Sequence, residues 1–513
     1  MTMKPYRMGV DIGTTSTKAV LFDRRGRALS RHGEEYPLMT PAPGVAEQDP
    51  ELIFQSVLRS IRGCLEQAGA AGGEVGFVAF SSAMHSLIVV DGSGQPLTPS
   101  ITWADNRSAA YAEIIKTEHN GHEIYRRTGT PIHPMSPLVK LVWLRSERPE
   151  LFKAEHKFIS IKEYVFHRLL GQYVVDHSIA SATGLLNLET LDWDEEALQL
   201  AGIVGEQLSL PVATTHAMSG LKPEYAVVTG LPVDITFITG ANDGVLSNLG
   251  VAAIDPGVVA VTIGTSGAVR TVTDKPVTDP EGRVFCYALT EKHWVIGGPV
   301  NNGGMILRWV RDELAGAEAE TAKRLGIDAY ELLTGIAAKV PPGSDGLLFH
   351  PYLAGERAPI WNANARGSYF GLGMHHKKEH MIRAAMEGVI MNLYTVLTAL
   401  QELIGPPAHV LATGGFARSE LWRQMLADVF GQEVTVPESF ESSCLGAVVL
   451  GMYGQGEIGS LSEVKEMVGG IHTHKPDEAA AETYRKLLPL FAELPRLLEA
   501  PYAAIASFQR EQG

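Results

Sequence analysis

The sequence predicts an α/β fold made of two similar halves. Each half has a strand–turn–strand hairpin with a small, polar turn: Gly13-Thr14-Thr15-Ser16 in the first and Gly264-Thr265-Ser266-Gly267 in the second. Asp255-Pro256-Gly257, a strong breaker of regular structure, stands between the halves. Elsewhere helical and strand patterns alternate, which is typical of α/β architecture. We therefore expect two domains, residues 1–254 and 255–513.

The first half opens with a predicted β-meander. Residues 8–12 alternate in a strand pattern, the polar turn follows, and residues 19–22 resume as the return strand. Asp49-Pro50 offers a helix N-cap with proline at the first helical position, and predicts a helix to about residue 68. Residues 75–80 and 87–90 have the composition of strands.

The second half repeats the hairpin and adds helices. Residues 258–261 form a predicted strand before the second polar turn. Residues 380–400 place apolar side chains on one helical face and predict a core helix. A buried strand is predicted at 410–412, ending in Thr413-Gly414-Gly415, and a helix at about 419–430. Both halves thus combine a hairpin with helices.

Composition excludes several classes of protein. Lys and Arg number 43 against 58 Asp and Glu, a net charge of −15 with no long basic run, so binding to nucleic acid or an anionic membrane is disfavoured. The three cysteines are widely spaced, which argues against a disulfide framework or a zinc site. Without a basic-then-apolar leader or a stretch of about 18 apolar residues, we expect a cytoplasmic protein.

The chemistry indicated by the first hairpin is phosphate binding. No P-loop, dinucleotide fingerprint, nucleophile elbow or zinc-protease motif occurs. Asp11 precedes the polar turn and Lys18 follows it; glycine N–H groups, threonine hydroxyls and a lysine suit phosphate oxygens, and a carboxylate suits Mg²⁺. One hairpin alone is better explained as a tight turn with a capping aspartate. Two hairpins together with Thr413-Gly414-Gly415 favour a nucleotide site between domains.

Other segments contain a candidate proton acceptor and candidate polyol-binding groups. Asp243 follows the predicted strand 235–238 among glycines; it could accept a proton from a hydroxyl, or cap the next helix. Residues 103–107 (WADNR) and 83–85 (AMH) combine an aromatic platform with hydrogen-bonding groups, as a polyol site requires. For His85 alone, a hydrogen-bonded core histidine is the alternative interpretation.

Several longer segments resemble one known family. Residues 135–144 (MSPLVKLVWL) are similar to its first signature, and residues 367–372 (GSYFGL) with 380–387 (HMIRAAME) are similar to its second. Residues 355–359 (GERAP) match another recurrent segment. On these motifs the chain is identified as a member of the FGGY carbohydrate kinases, a resemblance that extends over about residues 8–490.

This resemblance implies a fold and a reaction. The fold would consist of two ribonuclease H-like domains of the actin-like ATPase type with a cleft between them. Residues 1–254 would bind the sugar and residues 255–513 the nucleotide. The reaction would transfer a phosphoryl group from ATP, with Mg²⁺, to a small-molecule sugar or sugar acid. A homodimer is compatible with this, and neither nucleic acid nor a membrane is an expected partner.

The resemblance also implies roles for individual residues. Asp243 would be the general base that takes the proton from the sugar hydroxyl, and Asp11 would help to hold Mg²⁺. The residues implied at the nucleotide and its phosphates are Asp11, Thr14, Thr15, Lys18, Gly264, Thr265, Gly303, Gly304, Gly414, Gly415 and Ser419. Those implied at the sugar are Met84, His85, Trp103, Asp105, Arg107 and Asp243.

The acceptor is predicted from the segments nearest the sugar. Residues 81–87 (SSAMHSL), 101–108 (ITWADNRS) and 128–137 (TGTPIHPMSP) most closely resemble the family members that phosphorylate D-gluconate to 6-phospho-D-gluconate. Xylulose kinases are similar around Met84-His85, so a kinase of xylulose or another pentulose or polyol is the alternative. Glycerol kinases have an Arg-Glu pair at these two positions, which makes glycerol a poor candidate.

Two questions stay open at this point. A gluconate carboxylate requires a cation or several donors, and Arg107, His133 and Lys140 are the nearest candidates by motif, among which the sequence does not choose. An actin-like ATPase without a sugar acceptor could use the same hairpins to drive conformational change. The sugar-side cluster at 84–107 and both signatures argue against that function.

Overall fold

The computed structural model describes residues 4–437, 441–469 and 471–512. Two compact units make up the chain. Unit 1 comprises residues 1–256, 272–296 and 439–468, and unit 2 comprises residues 257–271, 297–438 and 469–513. Each unit is therefore assembled from separate stretches of chain. The assignment of sugar binding to the N-terminal domain and nucleotide binding to the C-terminal domain stays a prediction.

The elements follow one another as the alternating patterns predict. The strands are β1 (Tyr6–Ile12), β2 (Ser16–Asp23), β3 (Ala28–Glu35), β4 (Glu47–Gln48), β5 (Val75–Ser82), β6 (Ile88–Val90), β7 (Ser100–Ile101), β8 (Lys157–Ile159), β9 (Val174–Asp176), β10 (Leu186–Asn187), β11 (Asp192–Trp193), β12 (Leu210–Val212), β13 (Ala217–Met218), β14 (Thr236–Asn242), β15 (Val258–Ile263), β16 (Gly267–Thr273), β17 (Phe285–Thr290), β18 (His293–Val300), β19 (Leu348–His350), β20 (Ser368–Phe370), β21 (His409–Thr413), β22 (Val434–Pro437) and β23 (Ile471–His474). The helices are α1 (Pro50–Ala68), α2 (Ala109–Glu118), α3 (Gly121–Thr128), α4 (Pro137–Glu147), α5 (Ile161–Leu170), α6 (His177–Ser181), α7 (Glu195–Ala201), α8 (Pro223–Thr229), α9 (Asp243–Gly250), α10 (Met305–Trp309), α11 (Gly316–Leu325), α12 (Ala329–Ala337), α13 (Lys378–Ile404), α14 (Glu420–Phe430), α15 (Ser442–Gly454), α16 (Glu478–Leu497) and α17 (Glu499–Gln512).

The main sheet of unit 1 has six strands in the order β13–β14–β5–β1–β2–β3. Strands β1, β2 and β3 form the predicted antiparallel meander, and β5 lies parallel to both β1 and β14. In this register Ile12, Ser82 and Asn242 stand side by side at the carboxyl ends of three parallel strands. Asp11 and Asp243, which flank this row, therefore lie at the same edge of one sheet.

Close packing against this sheet depends on glycine. Helix α15 lies on β1 where Gly9 has no side chain, because a Cβ there would overlap the carbonyl of Cys444. Helices α9 and α15 meet at Gly250 and Gly446, whose Cβ positions would overlap the carbonyls of Ser442 and Leu246. Backbones can approach this closely only where no Cβ intervenes. The packing fixes α9, and with it the position of its first residue, Asp243.

Unit 2 contains a hairpin of the same kind. Its sheet includes the order β16–β15–β21–β22–β23, with β15 antiparallel to β16 and parallel to β21. As in unit 1, a small polar turn therefore joins two antiparallel strands, and the first of them has a parallel neighbour on its other side. Helix α13 packs on this unit with a largely buried middle section, as the periodicity of residues 380–400 predicts.

Several sequence predictions are confirmed in detail. Asp49 caps α1, accepting from Glu51 N at 2.9 Å, and the helix ends at Ala68. Helix α14 starts one residue after its cap, Ser419. Helix α13 is longer than the predicted 380–400 at both ends. Among the described residues no helix combines the length and apolarity needed to cross a bilayer.

Candidate active site

Asp11 lies at the end of β1 with three charged or polar neighbours in unit 1. The register places it between Lys18 on β2 and Ser81 on β5. Ser81 Oγ donates to Asp11 Oδ1 at 2.7 Å. Burial raises the pKa of Asp11 above its ordinary value, while Lys18 and the Ser81 hydrogen bond oppose that rise. Lys18 Nζ in turn lies 2.6 Å from Glu441 Oε2. A carboxylate among these groups can accept a cation.

The polar turn after Asp11 is held in place by side chains around it. Gly13 N donates to Ser16 O at 2.9 Å, which closes the turn. Tyr36 Oη donates to Gly13 O at 2.7 Å, and Gln48 Nε2 donates to Thr14 O. These bonds take up carbonyl groups of the turn and leave Thr15 exposed. The turn therefore presents N–H and hydroxyl groups, the kind of group that binds phosphate oxygens.

Asp243 is the first residue of α9 and does not cap it. The cap is Asn242, whose Oδ1 accepts from Val245 N at 2.8 Å. Asp243 Oδ1 accepts from the next backbone N–H, that of Gly244, at 2.7 Å. The side chain is partly exposed. The sequence left two interpretations of Asp243 open, a proton acceptor or a helix cap. The capping interpretation is wrong, because Asn242 caps α9.

His85 is a buried residue with both ring nitrogens close to partners in the protein. Its backbone has a φ of +68°, an uncommon conformation for a non-glycine residue. Nδ1 lies 2.7 Å from Ala182 O, and Nε2 lies 3.4 Å from Tyr287 Oη. Because a carbonyl only accepts, Nδ1 donates the bond to Ala182 O. His85 is thus a buried histidine with partners at both ring nitrogens, as the alternative interpretation predicts. A contact between His85 and the sugar stays a prediction. Its neighbour Met84 is partly buried and packs against the apolar core of unit 1.

The Trp103–Arg107 segment folds around an ion pair. Arg107 Nε lies 3.0 Å from Asp105 Oδ2, its Nη2 also donates to Glu47, and its guanidinium lies 4.7 Å from the ring centroid of Trp143. Asp105 is almost completely buried and also accepts from Ala46 N at 3.0 Å. Asp105 therefore orients Arg107, and Arg107 carries two carboxylate partners.

The three candidate partners for a substrate carboxylate are all engaged within unit 1. Lys140 Nζ donates to the carbonyls of His85 and Met135, each at 2.7 Å. Burial lowers the pKa of Lys140 to about 7 from 10.5. His133 Nδ1 accepts from Met135 N at 3.1 Å. Lys140 thus ties together two segments predicted to face the sugar, and the geometry does not select one cation for a carboxylate.

In unit 2 the predicted nucleotide residues surround the second polar turn. Gly303 N donates to Thr265 O at 3.2 Å, and Gly304 N donates to Gly264 O at 2.7 Å. A Cβ at Gly303 would overlap the carbonyl of Ser266, and one at Gly304 would lie 2.8 Å from Gly264 O. The two glycines are therefore required for this close packing. The structure brings together four residues that the resemblance assigns to the nucleotide.

Gly414 and Gly415 follow β21 beside the same hairpin. Gly414 has a φ of +111°, and a Cβ there would overlap the carbonyl of Ile263, the residue that precedes the turn. At Gly415 a Cβ would meet nothing within 4 Å, so this backbone faces open space. Ser419 lies further along, and its hydroxyl caps α14 by accepting from Trp422 N at 3.3 Å. A contact between Ser419 and the nucleotide stays a prediction.

Metal-binding groups are sparse in the described ranges 4–437, 441–469 and 471–512. They contain no cluster of three or more His, Cys, Asp or Glu side chains arranged to hold a metal ion. Mg²⁺ commonly uses one or two protein carboxylates and takes its other ligands from phosphates and water. Asp11, beside a turn that suits phosphate, is a carboxylate ligand that fits this coordination preference.

Comparison with known proteins gives the family. Residues 6–250 match the N-terminal domain of the FGGY family of carbohydrate kinases, and residues 259–454 match its C-terminal domain. The chain belongs to this family. The resemblance inferred from the two signatures is thereby confirmed.

Relatives of this FGGY kinase are similar along its whole length. A protein of Bacillus subtilis (strain 168) named gluconokinase is 58% identical over 509 residues, 99% of each chain. Solved structures titled xylulose kinase and gluconate kinase, both from Lactobacillus acidophilus, are each 40% identical and cover 98% of this chain and 99% of theirs, with TM-scores of 0.92 and 0.91. The predicted α/β fold, two domains of the actin-like ATPase type, is confirmed.

Sequence reasoning missed several residues of this FGGY kinase. Ser81 could have been found by pairing β5 with β1 in parallel, because the two strand ends then meet at Asp11. Gln48 and Tyr36 hold the turn from separate segments, and no local motif marks them. Glu441 lies more than 400 residues from Lys18, so a sequence offers no signal for that pair.

Proposed function

We propose that this FGGY kinase transfers the γ-phosphoryl group of ATP to the C6 hydroxyl of D-gluconate, giving 6-phospho-D-gluconate and ADP. The single observation that carries the proposal is the full-length identity of 58% to the protein named gluconokinase. The kinase chemistry is also supported by Asp11 and Asp243, which stand at the same edge of one sheet. The substrate is a small molecule with a hydroxyl to phosphorylate.

Asp243 is the proposed general base. Its carboxylate accepts the proton of the C6 hydroxyl while that oxygen forms a bond to the γ-phosphorus and the bond from phosphorus to the ADP oxygen breaks. It stands at the first position of α9, directly after β14. Because Asn242 performs the capping, the Asp243 side chain can turn toward a substrate without unwinding the helix.

Asp11 is the proposed holder of Mg²⁺, directly or through water. The ion, when bound, neutralises charge on the phosphate oxygens. The chain's own part is to orient the phosphates: the N–H groups of the first turn and the hydroxyls of Thr14 and Thr15 donate to phosphoryl oxygens, and Lys18 adds positive charge. The paired carbonyls of Gly13 and Thr14 support this proposal, since they point their hydrogen-bonding capacity toward the protein.

The nucleotide is proposed to lie against the glycine segments of unit 2. Gly264 and Thr265 form the second phosphate turn, and Gly303 and Gly304 pack on it. Gly415, whose backbone faces open space, allows a flat base or ribose to approach. Ser419 would contact the adenosine from the start of α14.

The sugar is proposed to bind unit 1 through Met84, His85, Trp103, Asp105 and Arg107. Trp103 supplies an aromatic face for the carbon chain, and Arg107, held by Asp105, donates from a fixed direction. For the carboxylate of gluconate, Arg107, His133 and Lys140 stay the candidate partners.

A kinase of xylulose or another pentulose is the second candidate. It is favoured by the solved structure titled xylulose kinase, which superposes on this chain as well as the one titled gluconate kinase does. The two candidates share the base, the phosphate turns and the nucleotide site. They differ in the acceptor alone, so only a test with several acceptors separates them.

The deciding experiment offers MgATP with gluconate, xylulose, ribulose, glycerol or no acceptor, and follows ADP release together with the phosphorus NMR spectrum of the product. The proposal requires gluconate-dependent ADP release and a phosphomonoester on C6. Preference for a ketose would replace gluconate by the second candidate. Release that ignores every acceptor and survives in Asp243→Asn would indicate an ATPase without a sugar acceptor.

The cysteines bear on the compartment in which the protein acts. All three cysteines, Cys64, Cys286 and Cys444, are free and buried, which suits the reducing cytoplasm. We infer a cytoplasmic enzyme that acts without nucleic acid or membrane partners. A homodimer is the proposed assembly, and light scattering coupled to size-exclusion chromatography measures it: a mass near 55.4 kDa would indicate a monomer.

A further inference from the structure

Unit 1 contains a buried ion pair that the proposed reaction does not use. Lys162 on α5 and Asp176 at the end of β9 lie with Nζ and Oδ2 2.7 Å apart, and each side chain is 1% exposed. Removing two charges from water is costly, and a well-packed apolar pair is often at least as stable. Fold stability alone therefore gives a weak reason for this pair.

The ammonium group of Lys162 also reaches the strand that ends at Asp243. Nζ donates to the carbonyl of Ala241 at 3.1 Å, two residues before Asp243. Electrostatic attraction to Asp176 and to Asp243 favours the charged form of Lys162, whereas burial lowers its pKa. The cation thus lies close enough to Asp243 to interact with it.

The intervening residue, Asn242, is held by the helix that Asp176 begins. Asp176 Oδ1 caps α6, accepting from Ile179 N at 2.9 Å. Ser178 on α6 accepts from Asn242 twice, from the backbone N–H at 3.2 Å and from Nδ2 at 2.9 Å. Asn242 is thereby fixed on its backbone and its side chain, and its Oδ1 in turn caps α9.

We propose that Lys162, with Asp176 and Ser178, is a positioning residue that fixes the strand end from which Asp243 reaches the substrate hydroxyl. The inference rests on the proposed role of Asp243. Lys162 holds the Ala241 carbonyl, Ser178 holds Asn242, and Asp176 links the two by pairing with Lys162 and starting α6. Proton transfer needs the base within hydrogen-bond reach, so a loosened strand end slows the chemical step and leaves substrate binding intact.

The test uses three variants of the full chain. Lys162→Met with Asp176→Asn removes both charges of the pair at similar volume, so neither partner is left as an unpaired buried charge. Ser178→Ala removes only the two bonds that Asn242 donates to the Ser178 hydroxyl, and leaves the ion pair. Asp234→Asn, an exposed carboxylate of the same unit, is the control. We expect kcat to fall about 10- to 100-fold in the double variant and about 3- to 10-fold in Ser178→Ala, with KM for both substrates within about twofold.

The result that overturns the inference is a double variant or a Ser178→Ala variant with the kcat of the wild type, or a loss of kcat matched by an equal rise in KM. Thermal unfolding and ADP affinity are measured on each variant. If the double variant does not fold, the kinetics of Ser178→Ala alone test the inference. Each variant is assayed with the acceptor that the wild type prefers. Failure of the gluconate proposal is then seen in the wild type, and failure of the positioning role in the variants.

Discussion

Trp103 Nε1 donates a hydrogen bond to Thr14 Oγ1 at 2.9 Å. This bond joins the residue predicted to stack on the sugar to the turn predicted to hold the phosphates. Since Thr14 Oγ1 accepts from Trp103, its own hydrogen is directed elsewhere and can be donated to a phosphoryl oxygen. The position of an aromatic ring thus sets the direction of a hydroxyl group.

Trp103→Phe keeps the aromatic face and removes this donor. One neutral hydrogen bond contributes about 0.5–1.5 kcal/mol, so we expect kcat to fall about 3- to 10-fold with little change in the KM for gluconate. Trp103→Ala, which also removes the platform, should raise that KM. Steady-state kinetics of the two variants measure both constants. If Trp103→Phe keeps the kcat of the wild type, or raises the KM as much as Trp103→Ala does, the role of the Trp103–Thr14 bond is refuted.

Asp243→Asn should nearly abolish transfer, because the amide cannot accept the proton. General-base catalysis contributes about 10²- to 10⁴-fold, so we expect a loss of kcat of that order with ATP affinity kept. The fold should be preserved, since Asn242 rather than Asp243 caps α9. Single-turnover assays and calorimetric ATP titration measure the two quantities. Turnover at the wild-type rate would exclude Asp243 as the base.

Asp11→Asn should raise the Mg²⁺ concentration needed for half-maximal activity about tenfold or more, because the proposed ion loses its charged protein ligand. Asp234→Asn, the exposed control, should leave the metal titration unchanged. Mg²⁺ titrations of initial rate at fixed ATP give the comparison. A titration of Asp11→Asn that overlays the wild type would contradict the metal role.

Gly303→Ala should disturb the second phosphate turn, because its Cβ overlaps the carbonyl of Ser266. We expect the KM for ATP to rise about tenfold and the gluconate KM to change little, since we propose that this turn binds the nucleotide phosphates. Gly316→Ala, where a Cβ meets nothing within 4 Å, is the matched control. Unchanged ATP kinetics in Gly303→Ala would show that the turn tolerates the shift.

Lys140 gives a prediction for stability against pH. Its pKa is lowered to about 7 in the folded protein from 10.5. Between these values the unfolded state binds more protons than the folded state, so the free energy of unfolding rises with pH. Below pH 7 both states are protonated, and the full cost of burying the charged Lys140 is present. Relative to Lys140→Met, the wild type should gain about 1.4 kcal/mol per pH unit in this window. Urea unfolding of both proteins at about pH 7.5 and pH 9 measures the difference; a constant difference would contradict the lowered pKa.

Local features of the fold were predictable, and contacts between distant segments were not. The cap at Asp49 and the helix to Ala68 follow from Asp-Pro and from apolar periodicity. The turn at Gly13 follows from small residues between two strands. By contrast, the pairing of Lys18 with Glu441 depends on how α15 packs, which no window of sequence contains.

The candidate site shows the same division. Asp11 and Asp243 were predictable because each directly follows or ends a strand beside glycine. Their common edge required the parallel pairing of β1, β5 and β14, which the sequence pattern does not specify. His85 in a left-handed conformation and Lys140 bonded to two carbonyls were likewise outside what residue type and spacing can indicate.

The place of α15 in unit 1 has a consequence for synthesis on the ribosome. The sheet built from residues 6 to 242 is covered on one side by a helix that begins at Ser442, about 200 residues later in the chain. At about 5–20 residues per second, the nascent sheet keeps an uncovered apolar face for about 10–40 s. During that time the face of the sheet at Gly9 lacks the helix that packs on it, and the N-terminal half cannot complete its core before nearly the entire chain has been translated.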